Sequence, residues 1–558
     1  MTTLDTAIVI LYLGLVFLFG WLAGRRQKRG DVGEFFLAGR SLPWWVVGTS
    51  MVATSLAADT PLAVAGMTIS GGVAKNWFWW SFIVSHTLMA MVLARLWRRA
   101  GVITDAEFVS RRYSGPWVKP LRNIKAFISA VLPELSEWQV VGGLLFLTLI
   151  YSVRSGFHGV VWTDIVQFPL ALFGTFYLAW VAVDQAGGLS AVSAAAVERS
   201  GPEAISLFPT SGELLPLEAL FTFLAVQWWA QKGSDGGGII IQRLSAARSE
   251  RDAQLGGLWF CVAHYLLRPW PWILTGLAAL VLVPDFAAAD PEGAYAEMIV
   301  SVLPAGARGL LVAAFLAAFM STIDTHLNWG ASYVVNDLIG SDRGLSEERT
   351  RLISRLAVIS MAGLALVATG LMGIIEGGWK IVIVMSAGGG AVFLLRWFWW
   401  RLTAEAEIAA VVSSILLTIA IYSYDSSMEY LHQMAIVVGG SAVAWITALR
   451  RSQREPADLV DFYRAVRPPG PGWAAVAKAA GMEAPEPLLP LIRGWLGALG
   501  GITLLLVGTG WALLSSLSTG LAAIALGVVL LALALRASLN SHGSVTIKQA
   551  GALAHSPE

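Results

Sequence analysis

The chain has 558 residues, of which 13% are charged and 56% hydrophobic, and its mean hydropathy is +0.66. Soluble chains are about a quarter charged, so this apolar surplus needs lipid as the solvent for much of its surface, which excludes soluble enzymes. The net charge of +1 offers no general basis for binding polyanions, and we expect no nucleic-acid partner. The single cysteine, Cys261, excludes internal disulfides and cysteine-based metal clusters. The composition therefore predicts an all-α polytopic membrane protein.

Apolar runs long enough to cross a bilayer, which takes about 20 residues, occur along most of the chain. They are 5–24, 44–70, 76–97, 157–184, 215–231, 256–282, 308–335, 354–375, 378–398, 403–423, 430–449, 494–514 and 517–536. The weaker stretch 118–153 has basic residues at both flanks, so it crosses either not at all or twice. We predict two short helices there, about 118–133 and 138–153, and about 15 spans in total.

The distribution of arginine and lysine predicts the direction of insertion. Asp5 precedes the first apolar run, whereas four basic residues follow it at 25–29, which favours an outside N-terminus. Later basic clusters alternate with acidic or neutral segments, so the C-terminus is predicted to lie inside. We expect a multi-pass protein that is surrounded by lipid and has no obligate protein partner.

Two apolar runs are interrupted by residues that disfavour a regular helix. The first interruption is Ala53-Thr54-Ser55-Leu56-Ala57-Ala58-Asp59-Thr60-Pro61, and the second is Gln231-Lys232-Gly233-Ser234-Asp235-Gly236-Gly237-Gly238. Each opens a set of five predicted spans, and the two sets start with opposite orientations. Many transporters place their binding sites at broken helices in matching positions of inverted repeats. The alternative is an ordinary kink together with a loop.

Polar residues inside the spans are costly and mark candidate sites. Ser321, Asp324, Thr325 and Asn328 are spaced to share one face of a helix, and their oxygens suit a cation such as Na⁺. Interhelical hydrogen bonding is the alternative for the hydroxyl groups. A membrane enzyme that uses Asp324 and His326 is a remote possibility, because the sequence has no phosphate loop, nucleophile elbow or HExxH motif.

Three further charged residues lie in or at the ends of the predicted spans, and two of them have two alternative roles. Asp164 begins a span, where a carboxylate either binds a cation or favours the positive end of the helix dipole. Asp59 lies in the first interruption and is a candidate for exposure to a cavity. Arg268 either pairs with a substrate carboxylate or is a structural partner of Asp324 or Asp59. Tryptophans 77, 79 and 80 are predicted to belong to an interfacial belt.

Several motifs resemble those of the sodium:solute symporter family. They are Phe36-Leu37-Ala38-Gly39-Arg40-Ser41-Leu42-Pro43-Trp44-Trp45, Thr104-Asp105-Ala106-Glu107-Phe108, Val161-Trp162-Thr163-Asp164, Gln242-Arg243 and Met320-Ser321-Thr322. The resemblance covers roughly residues 5–450. It implies a leucine-transporter-type fold of five plus five helices in an inverted repeat, with one extra N-terminal helix and extra C-terminal helices. It also implies Na⁺ as the coupling ion.

The resemblance assigns site residues by position. It implies a Na⁺ site made by the carbonyl groups of Ala53, Leu56 and Ala318 and the hydroxyl groups of Ser321 and Thr322. Asp164 and Asp324 are candidates for a second cation. Candidates for the substrate cavity are Ser55, Asp59, Thr60, Trp228, Tyr265 and Arg268. The interval from Arg112 to Tyr151 is shorter than two full helices of the family, and the second interruption is richer in glycine than in the sugar carriers.

The predicted segments follow from these assignments. They are an extra N-terminal helix and cytoplasmic loop at 1–43, a first repeat at 44–184, an extracellular loop at 185–214, a second repeat at 215–400, two additional helices at 401–451, a cytoplasmic linker at 452–488, and a C-terminal helix pair and tail at 489–558. The predicted function is Na⁺-coupled symport of a small polar organic solute by alternating access. The alternative is a membrane domain that senses a solute without net transport.

Overall fold

The computed structural model describes residues 1–25, 37–131, 138–333, 352–353, 356, 360, 375–451 and 454–553. The first half of the described chain forms helices α1 Thr3–Arg25, α2 Trp44–Thr54, α3 Asp59–Gly71, α4 Val73–Trp80, α5 Ile83–Ala100, α6 Asp105–Arg112, α7 Val118–Val131, α8 Trp138–Gln185, α9 Leu189–Ser200, α10 Leu217–Gln227 and α11 Gly238–Ala246. The second half forms α12 Glu250–Leu282, α13 Pro284–Ala289, α14 Ala294–Val302, α15 Ala307–Tyr333, α16 Ile375–Phe398, α17 Ala404–Tyr424, α18 Tyr430–Arg451, α19 Val460–Val466, α20 Ala474–Ala479, α21 Leu488–Leu514 and α22 Leu517–Leu553. An isolated β-bridge joins Leu42 to Ala247.

Within the described part of the chain, seven helices are long and apolar enough to cross a membrane, or up to nine if each bent pair counts as one span. The bent pairs are α2 with α3, at 63°, and α4 with α5, at 42°. The apolar run at 354–375 lies mostly outside the described residues. The count of 15 spans, the repeat boundaries and the direction of insertion therefore stay predictions.

The stretch 118–153 differs from its prediction. Helix α7 agrees with the predicted helix at about 118–133 as far as the described residues extend, but α8 runs for 48 residues without interruption past Arg154, where a turn was expected. At 1.5 Å per residue α8 is about 72 Å long. The predicted crossing at 138–153 is thus wrong as a separate helix, because it continues directly into 157–184. A charged residue marks a change of solvent, but it does not end a helix as proline or a glycine cluster does.

The bundle shares one large hydrophobic core. Helix α8 packs against α1, α2, α12 and α15, and the C-terminal pair α21 and α22 packs on the core through α5. The indole Nε1 of Trp495 donates to the carbonyl oxygen of Val84 at 3.2 Å. Tryptophans 77, 79 and 80 lie inside this core, with 3%, 6% and 0% exposure. Their assignment to an interfacial belt was therefore wrong.

Residues 454–488, predicted as a linker, fold against one end of the bundle. Trp473 is buried and donates through Nε1 to the carbonyl oxygen of Trp397 at 2.9 Å. Glu486 forms an ion pair of 2.7 Å with Arg95, at the end of α5. The guanidinium of Arg112 lies over the rings of Tyr113 and Trp473, 4.9 Å from each centroid. This segment therefore seals the arginine-rich end of the bundle.

The segment between α9 and α10 is organised around one carboxylate. Glu203 accepts hydrogen bonds from the Ser211 hydroxyl group at 2.7 Å and from backbone amides, including those of Thr210 at 2.7 Å and Gly212 at 3.1 Å. These donors, the Ser211 hydroxyl group first, lower the pKa of Glu203 to about 2. The carboxylate thus stays charged and fixes this segment across the physiological pH range.

Candidate functional site

The first interruption is a real break between α2 and α3. Helix α2 ends at Thr54 and α3 begins at Asp59. Pro61 lies in the first turn of α3, where its missing N–H is tolerated. The hydroxyl group of Ser55 donates to the Val52 carbonyl oxygen at 3.0 Å and accepts from Arg268 Nη1 at 2.7 Å. The predicted break is confirmed, and the arginine stabilises its unwound backbone.

The second interruption separates α10 from α11. Residues 228–237 between these helices are not helical, and Gly236 and Gly237 have φ angles of +127° and +72°, which favour glycine. The chain passes so close to α16 that a Cβ on Gly390 would lie 1.9 Å from the carbonyl oxygen of Trp229. The second break is therefore also confirmed, and its position is fixed by close contact with α16.

Helix α15 faces the first break with its hydroxyl-rich side. The Thr322 hydroxyl group lies 3.4 Å from the carbonyl oxygen of Thr54, and the hydroxyl oxygens of Thr325 and Thr54 are also 3.4 Å apart. The side chains of Ser321, Asp324 and Asn328 lie outside the described residues. Ala318 is buried one turn before Thr322. Carbonyl and hydroxyl oxygens thus meet between α2 and α15, as a site for a hard cation requires.

Asp164 is fully buried beside the first break. Its Oδ2 accepts from the Ser50 hydroxyl group at 2.6 Å and lies 3.5 Å from Nη2 of Arg243. The same guanidinium donates to Ser50 at 2.9 Å and to the hydroxyl oxygens of Thr54 and Thr325. Arg243 therefore ties α11, which follows the second break, to α2, α8 and α15.

Arg243 is the functional candidate that sequence reasoning missed. The charge pattern of the sequence groups it with Arg248 and Arg251 as a cytoplasmic basic cluster, yet its side chain is 0% exposed and contacts three other helices. Its place directly after the glycine-rich break was the available signal. The sequence alone does not distinguish a basic residue in an exposed loop from one that is buried in the bundle.

The structure separates the substrate-cavity candidates. Ser55 is the one that lines the described cavity. Tyr265 is buried, with its hydroxyl oxygen 2.7 Å from His86 Nδ1, and Trp228 packs on Trp495 at 6.3 Å between centroids. Asp59 accepts from Trp379 Nε1 at 3.2 Å, and Thr60 lies next to it. These four residues do not line the described cavity.

Arg268 holds backbone rather than lining the cavity. Besides Ser55 it contacts the Val52 carbonyl oxygen at 3.4 Å, and its guanidinium lies 5.1 Å from the ring centroid of Trp272. Its side chain is 1% exposed. The described contacts therefore favour the structural reading of Arg268, with the first break as its partner.

A cavity of about 350 Å³ lies between the two breaks, α15, α16 and α17. Its wall combines polar and apolar groups, among them Thr54, Ser55, Gln231, Lys232, His326, Trp329, Ser386, Phe393 and Ser414. It extends to Asp105, Lys125 and Arg396 at the arginine-rich end of the bundle. The volume suits a small organic solute.

A cluster of charges closes the wall at that end. Arg396 Nη2 pairs with Asp235 Oδ2 at 2.6 Å, and its Nη1 pairs with Glu407 at 3.3 Å. Lys125 Nζ lies 2.8 Å from the same glutamate, whose other oxygen accepts from the Tyr113 hydroxyl group at 2.7 Å. The second break is thus anchored to α16 and α17 by buried, mutually paired charges.

Comparisons with known proteins agree with this architecture. The chain is 27% identical over 483 residues to a sodium/glucose cotransporter of Vibrio parahaemolyticus, covering 77% of this chain and 87% of that protein. It is 25% identical over 478 residues to sodium/glucose cotransporter 2 of Rattus norvegicus, covering 75% and 71%. Both relatives are named as sodium-coupled carriers.

The fold is also found among solved structures. A substrate-bound, outward-open Na⁺-coupled sialic acid symporter superposes with a TM-score of 0.64 at 20% identity, covering 80% of this chain and 97% of that chain. The sequence profile of the sodium:solute symporter family matches residues 35–143 and 135–416, which is more than half of the chain. The protein therefore belongs to the sodium:solute symporter family, whose coupling ion is Na⁺.

Proposed function

We propose that this protein carries a small polar organic solute across the membrane together with Na⁺, by alternating access. The observation that carries the proposal is the cavity between two broken helices, with carbonyl and hydroxyl oxygens of α2 and α15 meeting beside it. A coupling ion and a solute bound at adjacent breaks can bias the same rearrangement. We also propose that the protein lies in the bacterial inner membrane, with its N-terminus outside and its C-terminus inside.

The proposed Na⁺ site comprises the carbonyl oxygens of Ala53, Leu56 and Ala318 and the hydroxyl groups of Ser321 and Thr322. The end of α2 supports it, because the last carbonyls of a helix lack partners further along the chain. The Leu56 amide donates to the Ala53 oxygen at 3.0 Å, and that oxygen retains a second lone pair for an ion. Thr322 faces this helix end across 3.4 Å.

A second cation site at Asp164 and Asp324 remains a prediction, but binding at Asp164 would first require Arg243 to move away. In this conformation the Arg243 guanidinium lies 3.5 Å from the Asp164 carboxylate, where a free cation would otherwise compete. We therefore expect a cation to reach Asp164 only if Arg243 moves. Arg243 also contacts Thr54 and Thr325, so such a movement would reach the proposed Na⁺ site directly.

The cavity reaches the arginine-rich end of the bundle, which the positive-inside rule places in the cytoplasm. We infer that the solute leaves towards Asp105 and Arg396 when the buried charge cluster that closes this end rearranges. Na⁺ shifts the equilibrium between conformations only through its differential affinity for them. Coupling therefore requires that Na⁺ and solute both favour the outward-facing state.

The Na⁺ site can be tested before the solute is known. The purified full-length protein is heated in NaCl and in choline chloride at equal ionic strength, and unfolding is followed by tryptophan fluorescence. We expect Na⁺ to raise the unfolding temperature, because a ligand that binds only the folded state stabilises it by RT ln(1 + [L]/Kd). In Ser321→Ala with Thr322→Ala this Na⁺-specific shift should disappear.

The matched control is Ser413→Ala with Thr447→Ala. These hydroxyl groups bond to backbone oxygens of their own helices, α17 and α18, so the control should keep the full Na⁺ shift. An unchanged Na⁺ shift in the Ser321 and Thr322 double variant would refute the site. In proteoliposomes, a solute that binds but shows no counterflow would instead support the sensing alternative.

A further inference from the structure

The basic side chains in the cavity wall differ in how they are neutralised. Of the wall residues within the described part of the chain, Lys125, Lys232 and Arg396 are basic and Asp105 is acidic. Lys125 and Arg396 each have a Glu407 oxygen within 3.3 Å. Lys232 has no carboxylate within 4 Å among the described residues, although its backbone amide donates to Ser386 at 3.2 Å. One positive charge on the wall thus lacks an internal counter-charge.

The position of Lys232 favours a role for its charge in ligand binding. It lies in the second break, one residue after the predicted span 215–231, five residues after Gln227 and six before Gly238. Its side chain is exposed, and the residue lines the cavity. An ionisable side chain within a membrane segment is costly unless it serves a pathway or a ligand. Helix α11 begins beside the same space, and its first amides add to the positive potential.

We propose that the cavity binds a solute bearing a carboxylate or similar anionic group and that Lys232 supplies the counter-charge. This inference rests on the proposed transport function and specifies its substrate class. Gln231, next to Lys232 on the wall, provides a neutral amide donor for the remaining oxygens of the solute. The rings of Trp329 and Phe393 form apolar wall for its carbon skeleton. A neutral sugar would leave the Lys232 charge without a counter-charge.

The charge cluster at Arg396 is a poorer choice for the anion. Its guanidinium already contacts Asp235 at 2.6 Å and Glu407 at 3.3 Å, so an incoming carboxylate would have to displace one of them. Lys125 is occupied in the same way, at 2.8 Å from Glu407. Lys232 needs no such exchange. Binding at Lys232 therefore neutralises a charge, whereas binding at Arg396 only replaces one partner by another.

The experiment uses pairs of probes that differ mainly in charge: lactate with lactamide, acetate with acetamide, and glucuronate with glucose. Uptake by the full-length protein in proteoliposomes is measured with each probe, with and without an inward Na⁺ gradient. We expect uptake of one or more carboxylates and not of their neutral counterparts. Lys232→Met should raise the KM for that carboxylate at least about tenfold, because a charge-assisted contact is lost. Lys232→Arg should retain most of the affinity, and Lys478→Met, on the exposed face of α20, should match the wild type.

The outcomes separate this inference from the transport proposal. Na⁺-driven uptake of glucose, lactamide or acetamide in preference to the carboxylates would keep symport and overturn the role of Lys232. A KM for the carboxylate that stays within twofold in Lys232→Met would also overturn it. Carboxylate uptake that depends on Lys232 but not on Na⁺ would support this inference and count against Na⁺ coupling. The Na⁺-dependent thermal shift should survive in Lys232→Met, which shows that this variant folds and binds the ion.

Discussion

The two breaks of this transporter are held by different chemistry. The first is bound by hydroxyl and carbonyl groups, and its nearest ion pair, Asp164 with Arg243, is 3.5 Å long and bridged by the Ser50 hydroxyl group. The second is anchored by Asp235, which pairs with Arg396 at 2.6 Å and also accepts from Trp397 Nε1 at 2.9 Å. The first break, which holds the proposed Na⁺ site, thus has neutral oxygen contacts and a longer ion pair, whereas the second is fixed to α16 by a short one.

The charge cluster at the second break should be the most sensitive to mutation. Arg396→Gln leaves the buried carboxylates of Asp235 and Glu407 without their shared guanidinium. Breaking a buried pair in this way costs about 3–5 kcal/mol. We expect a corresponding fall in the free energy of unfolding, measured by denaturation in detergent.

The control for this variant removes the stranded carboxylate as well. Arg396→Gln with Asp235→Asn should recover part of the lost stability, since removing both partners is less costly than removing one. A stability equal to wild type in Arg396→Gln alone would contradict the anchoring role. It would also remove the contrast between the two breaks.

Close packing at the second break provides the next largest effect. In Gly390→Ala the new Cβ would lie 1.9 Å from the carbonyl oxygen of Trp229, so the break must move away from α16. Overpacking of this kind costs about 1–3 kcal/mol. We expect a lower unfolding temperature together with weaker solute binding.

Gly439→Ala is the matched comparison, since a Cβ there meets no atom within 4 Å on α18. Its unfolding temperature and transport should remain at the wild-type level. Equal behaviour of the two alanine variants would show that the second break is not held by steric contact.

The first break should respond in ion affinity more than in stability. Arg243→Lys keeps the charge beside Asp164, but a lysine ammonium cannot contact Ser50, Thr54 and Thr325 together as the guanidinium does. We expect the Na⁺ concentration for half-maximal thermal stabilisation to rise about tenfold, which corresponds to about 1.4 kcal/mol.

Arg248→Lys is the control, because Arg248 is an exposed residue paired with Asp252 four positions away. It should leave the Na⁺ dependence unchanged. If Arg243→Lys lowers stability as much as Arg396→Gln without changing Na⁺ affinity, the two breaks do not differ in the way described.

The sequence alone determined the features that depend on local chemistry. Proline, glycine and short polar residues at 53–61 and 231–238 disfavour a helix wherever they occur, so both breaks were predictable. The apolar runs and the family motifs likewise identified a membrane transporter, and the family is confirmed. Of the hydroxyl-rich face that the 3.6-residue period predicted on α15, the described side chain is that of Thr325, and it does face Thr54 on α2.

Only the tertiary structure decided which charges meet. Arg243 and Asp235 are counted like loop residues in a sequence, yet each is buried against a partner on a distant helix. The long helix α8 was missed because a single charged residue carries no information about whether the helix continues. Ion pairs and buried tryptophans depend on groups brought together from distant parts of the chain. Helix breaks depend only on residues adjacent in the sequence. Because charged residues are scarce in this chain, the sequence identified which of them to consider. The tertiary structure showed which partners each of them contacts.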